Sequence, residues 1–173
     1  GYDGDYLPDL DSEESRKIRD EKITKIVQDI SETNYEEWLT KILLIIKNYP
    51  DTEERGEFNY FRKLLNEISK AKPKIGLKLL EEKVFEPFID IIIAGIWCST
   101  EKETAKDILN DWITQGKFLP AMAVVFEFIS EEDLPLALPL IKKLVKKAKT
   151  EGDVNTLNHL VRAIGFKKFQ NSI

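Results

Sequence analysis

The sequence predicts an all-α domain of about nine helices packed as antiparallel pairs, and three observations predict it. Apolar residues recur at three- and four-residue spacing from Ser12 onward, with no sustained strand-like alternation. Pro50, Pro73, Pro87, Gly116 and Gly152 each stand where one of these helices is expected to start or end. The 173 residues, 42% hydrophobic and 33% charged, suffice to bury the core of one domain without disulfide or metal.

The first helix is expected over residues 12–30, with Ile18, Ile23, Ile26, Val27 and Ile30 on one stripe. Asn34 and Glu37 stand at capping-box spacing before a second, whose apolar set is Trp38, Leu39, Ile42, Leu43, Ile45, Ile46 and Tyr49; Pro50 stops it. The third, near residues 56–71, offers Phe58, Phe61, Leu64, Leu65 and Ile68. Pro73 fits the first turn of the fourth, where its missing N–H costs nothing, and Ile75, Leu77, Leu79 and Leu80 follow.

Pro87 opens the fifth helix, residues 88–99, which differs from the rest. Ile89, Ile91, Ile92, Ile93, Ile96 and Trp97 surround its axis, and Asp90 is its one charge. A helix apolar all round belongs at the centre of a fold; the isoleucine content also suits a buried strand. Thr100 and Glu103 make a second capping box, for a helix carrying Ala105, Ile108, Leu109, Trp112 and Ile113 and ending at Gly116. The seventh covers residues 118–130 with Phe126, Phe128 and Ile129. The eighth starts at Ser130 and Asp133, bends at Pro139 and closes at Gly152. Asp153 caps the ninth, whose Val154, Leu157, Leu160, Val161 and Ile164 are expected to face inward before Gly165 ends it.

Paired, these helices give units beginning near Asn34, Lys72, Thr100 and Ser130, with spacings of about 28–38 residues, near the length of two-helix repeats. The stretch Leu134-Pro135-Leu136-Ala137-Leu138-Pro139-Leu140-Ile141, followed by Asp153-Val154 and Val161-Arg162-Ala163-Ile164-Gly165, resembles one HEAT repeat. In that family a proline bends the first helix, and the second opens on Asp-Val and closes on an aliphatic–Gly step. Asn155 stands after Val154 where the family usually has Arg. The resemblance implies a short α-solenoid of stacked helix pairs, and HEAT-like proteins are mostly scaffolds that hold partner proteins in a concave groove.

Charge is distributed unevenly. Asp3, Asp5, Asp9, Asp11, Glu13 and Glu14 give residues 1–15 a balance of −6. Lys142, Lys143, Lys146, Lys147, Lys149, Arg162, Lys167 and Lys168 against Glu151 and Asp153 give residues 142–173 a balance of +6. The whole chain, at −5, is therefore no uniformly basic nucleic-acid binder, although a local basic patch remains available. Residues 1–11 read as an acidic flexible lead-in, and 12–173 as one helical-repeat domain, expected to be a piece of a longer protein. Asp3-Gly4-Asp5 and Asp9-Leu10-Asp11 fail as a calcium loop, because Pro8 stands where the loop's glycine is needed.

Catalytic and metal-binding patterns are scarce. His159 is the single histidine, lies between Leu157 and Leu160, and has no nucleophile or second ligand at useful spacing. Cys98 is the single cysteine and, after Trp97, is expected to be a buried, inert thiol. Most of the paired carboxylates, such as Glu36-Glu37 and Glu131-Glu132-Asp133, fall at helix starts, where negative charge suits the helix dipole. No glycine-rich phosphate loop occurs. Trp38, Trp97 and Trp112 fall in register with aliphatic neighbours, so they read as core and not as base-stacking platforms.

The resulting expectation is a non-enzymatic, soluble, intracellular interaction scaffold that needs no cofactor and binds a protein partner. Its expected binding ridge is Lys142, Lys143, Lys146, Lys147, Lys149, Arg162, Lys167 and Lys168. At about 100° per residue the five lysines of the eighth helix occupy one arc, opposite Leu138, Ile141, Leu144, Val145 and Ala148. Phe166 and Phe169 are candidates for exposed apolar contact. The alternative is nucleic-acid binding through the basic C-terminal zone. A third class is an enzyme resembling in outline the alkylpurine DNA glycosylases, whose strongly basic groove the overall acidity argues against.

Overall fold

The computed structural model describes residues 13–48 and 55–170, with side chains described for 13–48 and 59–165. Among these residues the protein is all-helical, with nine α-helices packed against one another and no strand. They are α1 (Glu13–Asp29), α2 (Tyr35–Asn48), α3 (Arg55–Ala71), α4 (Pro73–Glu81), α5 (Ile89–Trp97), α6 (Lys102–Gln115), α7 (Leu119–Phe128), α8 (Leu134–Glu151) and α9 (Val154–Gln170). Short 3₁₀ turns at Lys83–Phe88 and Glu131–Asp133 lead into α5 and α8. No described helix is long and apolar enough to cross a membrane. The expected lead-in, residues 1–11, lies outside the described residues, as do Tyr49, Pro50 and the side chain of Phe58.

Helix α5 is the centre of the molecule. All nine of its residues are buried, and it packs against α3, α4, α6 and α7. The isoleucine run is thus helical, and the strand alternative falls. Its approach to α3 depends on Gly95: a Cβ there would lie 2.6 Å from the Asn66 carbonyl oxygen and 2.7 Å from Ser69 Cβ. Ser69 is itself buried and donates its hydroxyl back to the Leu65 carbonyl oxygen at 2.7 Å, so this polar side chain does not keep the helices apart. The Phe61 and Phe88 rings meet edge to face at 5.2 Å beside this junction.

Helices two apart in sequence also pack together: α1 on α3, α3 on α5, α5 on α7, α7 on α9, and α6 on α8. Between α2 and α4, the Lys78 ammonium sits 5.1 Å from the Tyr35 ring centroid. Most of the expected stripes face the core: Ile23 and Ile30 of α1 and its link, Leu39 and Ile42 of α2, Phe61, Leu64, Leu65 and Ile68 of α3. Ile18 and Phe128 do not, and are exposed.

The helix ends follow the glycines in two places. Gly116 and Gly152 both adopt φ of 70°, the left-handed conformation that terminates α6 and α8. Gly116 is also crowded, since a Cβ there would lie 2.6 Å from a Glu151 carboxylate oxygen. Gly165, by contrast, does not end α9, which continues to Gln170. A glycine inside a helix costs about 1 kcal/mol relative to alanine, too little to stop a packed helix.

Both predicted capping boxes are replaced. Asn34 turns back: its side-chain oxygen accepts from the Ser31 backbone N–H at 2.7 Å, and its amide donates to the Asp29 carbonyl oxygen at 2.9 Å. At α6 the N-cap is Glu101, not Thr100, and Glu103 pairs with Lys106. Asp153 does cap α9. Its carboxylate accepts the Thr156 backbone N–H at 2.9 Å and the Thr156 hydroxyl at 2.6 Å.

Candidate functional site

The C-terminal pair α8–α9 carries the expected binding residues, and the structure sorts them into two groups. Lys143 and Lys147 are turned toward the body of the protein. Lys143 Nζ donates to the Asn110 side-chain oxygen at 2.6 Å and to the Thr114 hydroxyl at 2.5 Å, tying α8 to α6. Lys147 Nζ pairs with Glu151 at 3.0 Å over the end of α6. The expected ridge of five α8 lysines is therefore divided, with two of its ammonium groups engaged by the protein itself. Lys143 and Lys147 occupy the α6 side of the lysine arc, and a long flexible side chain there finds acceptors within reach. Lys142, Lys146 and Lys149, together with Arg162 on α9, are exposed and make no ion pair among the described residues. The side chains of Phe166, Lys167, Lys168 and Phe169 lie outside the described residues.

Helix α9 departs further from expectation. Leu160 is 2% exposed and packs inward with Thr156 and Ala163, and Leu157 is half-buried. Val154 at 66%, Val161 at 70% and Ile164 at 43% face solvent. With successive residues about 100° apart around the axis, Ala163, Thr156 and Leu160 fall together in one sector. Ile164 and Leu157 occupy the next sector round, and Val161 and Val154 lie beyond them. The apolar arc of α9 is thus wider than the surface that α7 and α8 cover. His159 falls on the other side of the buried sector, and its Nδ1 lies 3.9 Å from a Glu127 carboxylate oxygen of α7. The open stripe therefore sits on the side of α9 turned away from α7.

Helix α8 has one exposed large aliphatic of its own. Its Lys143 and Lys147 face α6, and Leu138, expected inside, is 47% exposed on the opposite edge, the edge that also carries Lys149. Each helix thus exposes aliphatic side chains on the side turned away from a packed neighbour, Leu138 of α8 away from α6 and the α9 stripe away from α7. Lys142, Lys146 and Lys149 share the exposed arc of α8, and Arg162 lies about 100° round α9 from Val161. A hydrophobicity pattern alone could not reveal this, because a stripe reads the same whether a neighbour covers it or not.

Elsewhere the chemistry is sparse. Cys98 is exposed, which corrects the expectation of a buried thiol; α5 ends at Trp97 and leaves Cys98 at the cap. Partial shielding raises its thiol pKa above the ordinary value, against the opposing pull of Lys70 and Lys102. Trp97 is fully buried, while Trp38 and Trp112 pack at the core margin; Trp112 meets Phe118 edge to face at 5.2 Å. No group of three or more His, Cys, Asp or Glu among the described residues could hold a metal ion. A depression of about 340 Å³ by Ser31 and Pro73 sets Lys72 and Lys74 against Glu32 and Glu101, so it favours neither sign of ligand.

Comparison with known proteins finds no family model, no curated protein and no solved structure that the chain matches.

Proposed function

We propose that this chain is a protein-interaction domain: a short HEAT-like stack of helix pairs that holds a partner protein without acting on it, in a soluble, intracellular setting. The observation that carries the reading is the open end face, where Val154, Val161, Ile164 and Leu138 are all exposed on two adjacent helices. Isolated surface aliphatics are ordinary, but a grouped set on one face is what a partner site requires. The row α1–α3–α5–α7–α9 also supports it, since stacking of helix pairs puts helices two apart in contact. The resemblance of residues 134–165 to a HEAT repeat points the same way.

The test compares the parent with a Val154→Glu/Val161→Glu double variant, both checked by circular dichroism. The parent should capture a protein partner that the variant loses, and neither should bind nucleic acid tightly. Salt-sensitive binding to duplex or single-stranded nucleic acid, removed by reversing Lys142, Lys146 and Lys149 to Glu, would favour the alternative of a nucleic-acid interface.

A further inference from the structure

We infer that the end face of α8 and α9 is a groove for one acidic amphipathic helix of a partner protein, an inference that rests on the interaction reading above and names the occupant. The floor is apolar and elongated. From Val154 to Ile164 it runs about 15 Å along α9, roughly three helical turns. It offers a side chain at each turn, and Leu138 of the neighbouring α8 is also exposed. A partner helix with apolar residues at i, i+3 or i+4, i+7 and i+10 or i+11 matches that spacing, and helix-in-groove docking uses this pattern.

The rim selects the partner's charge. Lys142, Lys146 and Lys149 on α8 and Arg162 on α9 are exposed and make no ion pair among the described residues. Lys143 and Lys147, whose charges are already engaged, are the two that point away from the groove. Glu151, the exposed acid nearest the end of α8, is held by Lys147 on the α6 side. A helix whose stripe is flanked by Asp and Glu would satisfy both floor and rim. A second copy bound through the same face would set these four cations against four more, and a phosphate backbone has no use for an apolar floor.

The test uses a fluorescent peptide of about 18 residues, Leu at the seam positions and Glu on both flanks, with a control in which every flanking Glu is Lys. Anisotropy is read at low and high salt against the parent, against Val161→Glu, and against Lys142→Glu/Lys146→Glu/Lys149→Glu, which alters exposed side chains only. The acidic peptide should bind the parent and weaken with salt. It should lose about tenfold or more in affinity on either variant, and the basic peptide should bind at least about tenfold more weakly than the acidic one. Equal binding of both peptides, no binding of the acidic one, or indifference to both variants would overturn the proposal. So would a concentration-dependent dimer, seen by light scattering, that Val161→Glu abolishes. If a protein partner is still captured through Val161 while the acidic peptide fails, the interaction reading stands and the acidic-helix assignment falls.

Discussion

Asp90 is the one charge inside α5, and the fold accepts it on specific terms. The residue is 8% exposed, and one carboxylate oxygen takes the Arg62 guanidinium of α3 at 2.5 Å. Its other oxygen, Oδ1, is buried with no partner among the described residues. A part-buried pair of this kind adds little net stability, but removing Arg62 leaves the Asp90 carboxylate in the core without its partner. Arg62→Met should therefore cost about 3–5 kcal/mol in urea unfolding, whereas Arg62→Met/Asp90→Leu should recover most of that loss. Equal losses in the single and double variants would show that the stem of Arg62, not its charge, is what α3 and α5 need. The sequence made Asp90 visible as an isolated charge, but its partner lies 28 residues away and no local pattern names it. Gly95 was less visible still. A glycine in a helical run looks like a weak point, and only the 2.6 Å approach to the Asn66 carbonyl oxygen reveals it as a packing requirement.

At the scale of elements, helix existence was legible and helix ends were less so. The 3.6-residue period depends on burial of whole faces and survives local accidents, so all nine helices could be read. Caps depend on single rotamers. Asp153 found Thr156 as expected, while Asn34 served the α1–α2 link and Thr100 gave way to Glu101. Asp133 was read as the start of α8, yet its carboxylate joins three elements. It accepts Trp97 Nε1 at 3.2 Å from the end of α5 and Lys102 Nζ at 2.7 and 2.8 Å from the start of α6. The Lys102 hydrogen bond, with a smaller contribution from Trp97, holds Asp133 below the ordinary carboxylate range, and Thr156 does the same for Asp153. Both folded-state values are depressed, so their stabilisation is present above the unfolded carboxylate pKa of about 3.9 and is lost as pH falls through the lower folded values. The melting temperature should fall on acidification below about pH 4, and less steeply in Asp133→Asn than in the parent. Parallel acid profiles would remove Asp133 from the account.

Across the whole molecule, one stripe pattern has opposite outcomes at α5 and α9. Helix α5 is covered by α3, α4, α6 and α7, so its apolar surround was a sound guide to its central place. Helix α9 meets α7 and α8 on one side, and its expected inward set divides at Leu160 and Val161. Sequence cannot assign neighbours to a face, which is why the lysine ridge was legible as an arc but not as two groups, and why the open stripe was read as core. The proposed partner site depends on that division. The most direct measurement is the melting temperature of two variants at adjacent positions, Leu160→Glu and Val161→Glu. Leu160 is 2% exposed and Val161 70%. A buried, unpaired carboxylate should destabilise Leu160→Glu by about 3 kcal/mol or more and unfold the C-terminal pair, while Val161→Glu should melt within about 2 °C of the parent. Equal, large losses in both variants would place Val161 in the core and contradict the open face on which the functional reading stands.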